Sequence, residues 1–591
     1  MNAMLDPQYR EVVASLPSSV FVEALRILSP AYFIEPYRPI YRPMHLTGVL
    51  AKMFKPLEVI FDEFVHNLAA IIRIRHEGEQ TLGLAEYQHL LDCARAMGDV
   101  EMADAIWLDM KEERVDPDIQ CYNHYMEAKV WDHTFVGREK YNLRVTPYYY
   151  RKRRSDTPSE GWQGYGTGNR SVRLKVMAIF RDMTQREIPP DERTFVNLFL
   201  ACCRTGHTGN MKSILKLVWN VDIDLLREEN DPEKIPPATS FEPSSPLHPS
   251  ERLLFAVAHG FGTNNDLQSA LRVLDYVSRS YNIPVPENVW YELFERSFVL
   301  SRPRFGPDAV RNAKGSVSYD FLTALFEVMT SAPYHVHPRA AEYFRMAKTA
   351  WTRARLREFR SHMNACYDLL REVRQQSRHA RSVVAEYLTA ASRADADDRN
   401  SVLQSSALAD AIHTYGIRRL MTAQVTALVE RMARLLLIHH RFTGRDNPVF
   451  EWQILPRGLE EWADFLPTTF WYYSGTGVVG FKGKTFWGQC KLKPHNKVAI
   501  RRVSRAENPE IWEEAEEVDD DFFWQSFRAD TINMDLLSWL DRIRNTANGL
   551  AAPEEEAEPG HDTEKEIRSP SPTIPWLSLP WMRDVWARTV L

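Results

Sequence analysis

Cysteine is scarce in this 591-residue chain, and its spacing is that of neither a disulfide framework nor a metal site. The chain has six cysteines. None has the paired spacing of zinc ligands, and the adjacent pair Cys202 and Cys203 lies inside a predicted helix. We therefore expect buried thiols in a reducing compartment, without zinc or disulfides.

Long hydrophobic runs are also lacking, because no apolar stretch approaches the length of a membrane span. A transmembrane segment is not predicted, and peripheral association with a membrane stays open. Met1–Gln8 is neither Arg-rich nor amphipathic, so it predicts no transit or signal peptide. The sequence does not separate a protein that stays where it is made from one shown without its first segment.

Neither sign of charge is in large excess. The chain has 73 Lys and Arg against 79 Asp and Glu, a net charge of −6. Such a molecule does not bind nucleic acid over its whole surface, so any RNA-binding surface has to be local.

The segments that resemble catalytic or nucleotide-binding motifs lack the surrounding residues that such motifs require. The segment Gly475–Gly480 has the spelling of a dinucleotide fingerprint, but no βαβ pattern surrounds it. Gly483-Lys484-Thr485 resembles the end of a phosphate-binding loop whose earlier glycine is replaced by Val478. His439-His440 has no third ligand at a suitable spacing. The sequence predicts no catalytic residue, cofactor or metal, and hence no enzyme.

What is present is a repeated helical hairpin, clearest from Ala85 to Ile119. Two short amphipathic helices are predicted there, separated by a break at Gly98 and ended by Pro117-Asp118. Their apolar faces are formed by Tyr87, Leu90, Leu91 and Ala94, and by Ala103, Ile106, Trp107 and Met110. Because so small a hairpin cannot bury these faces alone, it has to stack on further copies.

This segment resembles the pentatricopeptide repeat, an α-solenoid unit that binds RNA. A second unit starts near Asn123, but its second helix comes late. From Gln88 to Trp107 there are 19 residues, whereas the matching interval from Asn123 to Phe180 is 57, a difference of 38. The second unit therefore carries an insertion. A third unit starts at Thr194 with a break at Gly206, and weaker units are predicted over 251–286 and from Trp290.

The resemblance implies which residues contact bases. In the family, one position early in the first helix and an aspartate-type position after the proline act together. In the first unit these positions are Gln88 with Asp118, which is not a clear pairing. In the second they are Asn123 with Asp191, and in the family this combination implies a preference for uracil. The third unit has Val196, which cannot hydrogen-bond through its side chain. The alternative for Asn123 is a capping or packing role.

The insertion is a second candidate for RNA contact. From Gly137 to Arg181 the chain has eleven basic and three acidic residues. Aromatic side chains stack on unpaired bases, and cationic side chains neutralise phosphates. A solvated loop and a protein-docking loop are the alternatives. The candidate RNA-contacting residues are Tyr149, Arg151, Lys152, Arg153, Arg154, Trp162 and Tyr165.

A closer resemblance is carried by 28–37, by the first repeat and by Tyr165-Gly166-Thr167-Gly168 in the split second repeat. Together they look like the fungal mitochondrial ATPase-expression proteins, over roughly the first 225 residues. The resemblance implies a non-catalytic factor of the mitochondrial matrix. Its partner would be a single-stranded mitochondrial messenger RNA for an ATP synthase subunit, with the mitoribosome as a further partner. The factor would act on stability or translation of that messenger.

The predicted fold class is all-α, an α-solenoid of pentatricopeptide-type hairpins with a small C-terminal element, irregular or mixed α+β, and a disordered acidic tail. An extended Pro-Tyr-rich stretch is expected from Phe33 to Pro43. The rival function is a non-catalytic scaffold for mitoribosome or respiratory-complex assembly. The predicted organisation is a helical lead-in (1–80), repeats one to three (81–225) with the inserted loop (about 132–170), a Pro-rich linker (226–250), degenerate repeats (251–338), long helices (339–442), an aromatic Gly-rich element (443–545) and a disordered linker with a Trp-bearing tail (546–591).

Overall fold

The computed structural model of the chain describes residues 1–52, 54–137, 171–229, 234–302, 313, 315–403, 405–437, 455–466, 469–474 and 477–482. The chain divides into two compact units, Met1–Met534 and Asp535–Leu591, and all the described residues belong to the first.

The first predicted hairpin forms for local reasons. Its helices are α8 (Leu84–Met97) and α9 (Val100–Glu112). The backbone between them turns at Gly98 with φ +65°, where a Cβ atom would lie 2.3 Å from the carbonyl oxygen of Trp131. Only glycine fits this left-handed position. Asp99 then caps α9 by accepting a hydrogen bond from the Met102 amide at 2.9 Å.

The chain before this hairpin is helical. Its helices are α1 (Asn2–Leu5), α2 (Arg10–Ser15), α3 (Ser18–Ile27), α4 (Pro30–Phe33), α5 (Tyr37–Tyr41), α6 (Leu46–Ala51) and α7 (Leu57–Glu77). The extended stretch expected from Phe33 to Pro43 is therefore wrong. Pro36 has helical dihedral angles, φ −63° and ψ −28°. Pro39 lies in the first turn of α5, where a missing N–H costs no helical hydrogen bond.

The hairpins stack through their first helices. The helices are α10 (Ile119–Val130), α11 (Val172–Gln185), α12 (Glu192–Arg204), α13 (Thr208–Trp219), α14 (Ile223–Glu228), α15 (Glu251–Thr263), α16 (Leu267–Tyr281), α17 (Glu287–Leu300), α18 (Tyr319–Thr330), α19 (Ala340–Thr352) and α20 (Leu356–Arg393). The first helices α8, α10, α12, α15, α17 and α19 each contact the next. Each also packs on its own second helix. The predicted all-α class and helical-hairpin solenoid are confirmed.

Two long helices follow the hairpins. Helix α20 packs along α22 (Ser406–Leu435), with the short α21 (Ala396–Leu403) between them in the chain. The described part of the C-terminal region has α23 (Leu455–Glu461) and an antiparallel hairpin of β1 (Thr469–Ser474) and β2 (Gly477–Lys482). Strand β2 contains most of the glycine segment that spells a dinucleotide fingerprint.

The apolar core of the described residues forms two clusters. The larger runs from the lead-in through the stacked hairpins and includes the predicted faces of α8 and α9. The smaller joins α19, α20, α22 and α23. Within the described ranges, no helix has both the length and the apolar character needed to cross a membrane.

Candidate nucleic-acid interface

The two residue pairs predicted at the repeat boundaries are in contact. Nε2 of Gln88 donates to Oδ2 of Asp118 at 2.6 Å. In the next repeat, Nδ2 of Asn123 donates to Oδ1 and Oδ2 of Asp191, at 3.0 and 3.1 Å. Asparagine and glutamine thus occupy equivalent positions, each held by the aspartate that precedes the following repeat.

The two aspartates have a second role, which sequence reasoning missed. Asp118 accepts a hydrogen bond from the Cys121 amide at 2.9 Å and caps α10. Asp191 accepts from the Thr194 amide at 2.8 Å and caps α12. The signal was present, because an aspartate immediately before an apolar helical pattern is a typical N-cap.

The pairs differ in exposure. Gln88 and Asp118 are both half-buried. Asn123 is 1% exposed, and its Oδ1 accepts a hydrogen bond from Oγ1 of Thr194 at 2.9 Å. Val196 is also 1% exposed. Of Gln88, Asn123 and Val196, only Gln88 has a side chain that reaches the surface.

The insertion residues Tyr149, Arg151, Lys152, Arg153, Arg154, Trp162 and Tyr165 lie outside the described residues.

Charged side chains follow Gln88 along the same side of the stack, which we call the inner face. Arg95 lies seven residues, two helical turns, after Gln88. It contacts Asp92 at 2.6 Å and Glu127 of α10 at 3.4 Å, and Glu127 contacts Arg193 of α12 at 2.8 Å. We call Asp92, Arg95, Glu127 and Arg193 the inner row. Acidic and basic groups alternate in it.

The electrostatics of the inner row favour the charged forms. Burial by itself raises the pKa of Asp92 and Glu127. For Asp92, the hydrogen bond of His124 and the charge of Arg95 outweigh burial, so the pKa lies well below its ordinary range. For Glu127, Arg193 and Arg95 lower the pKa in the same way.

A second ionic group lies at the fifth and sixth hairpins. Glu295 of α17 accepts from Arg42 at 2.7 and 3.2 Å, from Arg345 of α19 at 2.8 Å and from Arg296 at 3.4 Å. Arg345 also contacts Glu342 at 2.7 Å. We call this group the Glu295 cluster. Burial opposes ionisation of Glu295, but Arg42, Arg345 and Arg296 hold its pKa well below the ordinary value.

The lead-in residues 32–55, here called the N-terminal segment, join these two ionic groups. Oε1 of Glu35 accepts from Arg95 at 3.0 Å. Nη1 of Arg38 donates to the Ala96 carbonyl at 3.0 Å. Arg42 enters the Glu295 cluster as described above. The N-terminal segment therefore runs along the inner face from the first hairpin to the fifth.

Helix α22 holds the other side of the N-terminal segment. Nε2 of Gln424 donates to the Ile40 carbonyl at 2.8 Å, and Nη1 of Arg431 donates to the Pro43 carbonyl at 3.0 Å. Sequence reasoning missed this arrangement. The partners are separated by more than 350 residues, so no local pattern indicates them.

Comparison with known families supports two resemblances. A pentatricopeptide repeat domain model matches residues 81–130, which contain α8 to α10 and the Gln88–Asp118 pair. A model described as mitochondrial ATPase expression matches residues 192–311. Both predicted resemblances are confirmed. The second match lies mostly beyond the roughly 225 residues over which it was expected.

No curated protein matches this chain. Among solved structures, the pentatricopeptide repeat protein PPR10 from maize is similar over 77% of this chain and 70% of its own, with 13% identity and a TM-score of 0.26. PPR10 in complex with an 18-nt psaJ RNA element is similar over 62% of this chain, with 14% identity and a TM-score of 0.23. The match spans 52% of that chain, about half its length.

Proposed function

We propose that this protein is a non-catalytic RNA-binding factor of the mitochondrial matrix, which stabilises one mitochondrial messenger RNA or activates its translation. The resemblance to the ATPase-expression family makes a messenger for an ATP synthase subunit the expected target. The observation that carries the proposal is the half-buried Gln88–Asp118 pair at the boundary between two stacked hairpins.

The pair suits recognition of an unpaired base. Asp118 holds the amide nitrogen of Gln88, so the orientation of the amide group is set before any ligand arrives. An amide has both a donor and an acceptor, and repeat proteins of this kind use two or three side chains per base. A half-buried amide with a set orientation loses little side-chain entropy on binding.

In the Asn123–Asp191 pair, the asparagine side chain is not accessible to a base in the closed stack. The amide of Asn123 is enclosed by Asp191 and Thr194. Contact of Asn123 with a base therefore requires α10 and α12 to separate locally. We assign Asn123 and Asp191 to uracil recognition under that condition, and Val196 to apolar contact in the next repeat.

The basic insertion supplies affinity without base selectivity in this proposal. Arg151, Lys152, Arg153 and Arg154 contact phosphates, while Tyr149, Trp162 and Tyr165 stack on bases.

Crosslinking of the protein to RNA in intact cells, followed by sequencing of the bound RNA, tests the proposal. Recovery of one or two mitochondrial messengers, footprinted at their untranslated ends, supports it. Ribosomal RNA alone, or nothing above background, would contradict it.

Variants of the full chain separate the two kinds of RNA contact. With the recovered RNA, Gln88→Ala weakens binding about 2- to 10-fold, the loss expected for one or two hydrogen bonds, and changes base preference. Gln268→Ala, the same change at an exposed position of α16, has no effect. Alanine at the four insertion cations lowers the salt dependence by a slope of about 3, because each phosphate contact contributes about 0.7.

A second candidate function is a scaffold for mitoribosome or respiratory-complex assembly. One observation favours it: the inner row alternates in charge and is not a basic groove. Recovery of ribosomal RNA alone in the crosslinking experiment would point to this scaffold.

A further inference from the structure

The inner face already has an occupant within the chain. The carboxylate of Glu35 contacts the guanidinium group of Arg95 at 3.0 Å. Arg95 is on the same side of α8 as Gln88, which lies two helical turns before it. Carboxylates and phosphates bind a guanidinium group through the same paired N–H···O geometry. Glu35 therefore occupies a cation of the inner face that suits an RNA phosphate.

The N-terminal segment is seated firmly and is not a passing loop. Ile34, Ile40 and Met44 are 0%, 5% and 3% exposed. Between these anchors, Glu35, Arg38 and Arg42 make the ionic and hydrogen-bonded contacts to α8 and α17. Apolar side chains thus hold the segment while its charged side chains meet those of the inner face.

The charged side chains of the N-terminal segment are partly accessible to water. Glu35 has a side chain 39% exposed, and the side chain of Arg42 is 29% exposed. The Glu35–Arg95 pair contributes little stability, because water and salt screen its exposed carboxylate, whereas Arg42 meets a Glu295 side chain that is only 15% exposed. Polyanionic RNA can displace the Glu35–Arg95 pair at modest cost, but lifting residues 35–43 also exposes Ile40 and Tyr41, which are 5% and 6% exposed in the closed state, so the open form is the minor one.

We propose that residues 35–43 compete with single-stranded RNA for the inner face, so that RNA binds there only after this part of the N-terminal segment lifts. The inference rests on the proposed RNA-binding function. When the segment lifts, Arg95 exchanges the carboxylate of Glu35 for a phosphate, and Arg38 and Arg42 become available to further phosphates.

The competition has a quantitative consequence. If a fraction f of the molecules is open, the apparent dissociation constant equals the intrinsic constant divided by f. A substitution that weakens the closed state without touching RNA therefore raises f, and the apparent dissociation constant falls by the same factor by which f rises. This gain distinguishes competition from a purely structural role of the segment, whose loss would weaken binding.

The first experiment measures the affinity of the full chain for fluorescein-labelled oligouridylate by fluorescence anisotropy. Glu35→Gln removes the competing carboxylate, and Gln424→Ala removes the hydrogen bonds to the backbone at Pro39 and Ile40 from the far side. Each variant is expected to bind about 2- to 10-fold more tightly, the range for one or two lost hydrogen bonds.

Two control variants test whether loss of any negative charge or of any side-chain amide changes RNA binding. Glu101→Gln, at an exposed position of α9, measures the effect of losing one negative charge anywhere. Gln268→Ala, at an exposed position of α16, measures the effect of losing one amide. Neither position belongs to the inner face, so both variants bind as the wild type does.

The second experiment locks the segment closed. Nε2 of Gln424 in α22 lies 3.2 Å from the carbonyl oxygen of Pro39, which is within the part that lifts. In the double variant Pro39→Cys and Gln424→Cys, a short bis-maleimide tethers that part of the segment to α22. The described native cysteines are buried and react slowly. We expect the tethered protein to bind at least about tenfold more weakly, a loss of about 1.4 kcal/mol, than the same variant capped with N-ethylmaleimide.

The outcomes separate the two proposals. If the wild type binds oligouridylate and neither the loosened nor the tethered variants differ from it, the competition is refuted and the RNA-binding function stands. If no form of the protein binds oligouridylate or the RNA recovered from cells, the proposed function fails and the competition with it. Tighter binding by Glu35→Gln and Gln424→Ala, with weaker binding by the tethered protein, supports the competition.

Discussion

The stacking of α12 on α15 is testable at a single glycine. Gly260 lies on α15 and faces the Phe199 ring of α12. A Cβ atom added there would lie 2.5 Å from Cε1 and 3.0 Å from Cζ of Phe199, and 3.1 Å from Cε of Met211. Phe199 and Met211 are both 0% exposed, and the ring of Phe199 also packs edge-on against Phe261. The ring therefore has no free space to move into.

The size of the effect follows from two opposing contributions. Alanine is favoured over glycine inside a helix by about 1 kcal/mol. Overpacking a closed core costs about 1–3 kcal/mol. Gly260→Ala should therefore destabilise the α12–α15 contact by up to about 2 kcal/mol. Gly209→Ala makes the same chemical change in the exposed first turn of α13, where nothing lies within 4 Å. There the helix preference acts alone, and stability should rise by up to about 1 kcal/mol.

Native-state hydrogen exchange measures these differences hairpin by hairpin. A stacked array does not unfold in one step, so a single free energy of unfolding is not defined for it. The opening free energy of amides in α12 and α15 is the quantity to compare. Phe199→Leu combined with Gly260→Ala should be less destabilising than the sum of the two, with a coupling of about 0.5–3 kcal/mol. Equal protection in Gly260→Ala and Gly209→Ala would refute the packing argument.

Two further predictions concern buried polar contacts. Glu295→Gln leaves Arg42, Arg345 and Arg296 without their shared carboxylate. Burial opposes ionisation of Glu295, but the three guanidinium groups lower its pKa, so its stabilising effect is full above about pH 4.3 and is lost as the pH falls below that value. The difference in thermal midpoint between wild type and Glu295→Gln should be large near neutral pH and shrink below about pH 4.3; a constant difference would contradict the assignment. Trp219 is fully buried, and its Nε1 donates to the Leu247 carbonyl at 3.0 Å. Trp219→Phe should cost about 1–3 kcal/mol, because it leaves the Leu247 carbonyl unpaired and removes part of the ring volume, and Trp219→Ala about 3–5 kcal/mol for the larger cavity. Both are measured as loss of exchange protection in α13, and equal losses would contradict a stabilising role of the remaining ring.

Local features of the chain could be predicted from the sequence because their causes are local. The hairpin of α8 and α9 follows from apolar residues at helical spacing, a glycine at the turn and an aspartate cap, all within about one repeat. The pairing of Gln88 with Asp118, and of Asn123 with Asp191, follows from the repeat register together with the family resemblance. Helix α5 was missed because prolines in a first helical turn look like an extended segment by composition.

The sequence by itself determined the hairpins, their order and the residues at each repeat boundary, since helix periodicity and capping depend on neighbours a few residues apart. The tertiary structure alone decided that Gln88 is half-buried while Asn123 is enclosed, because exposure depends on how closely α10 and α12 pack. It also decided that Glu35 meets Arg95 and that Arg42 meets Glu295, 253 residues away. Contacts at such separations depend on where the stacked helices place each charge in space, and no spacing along the chain encodes that.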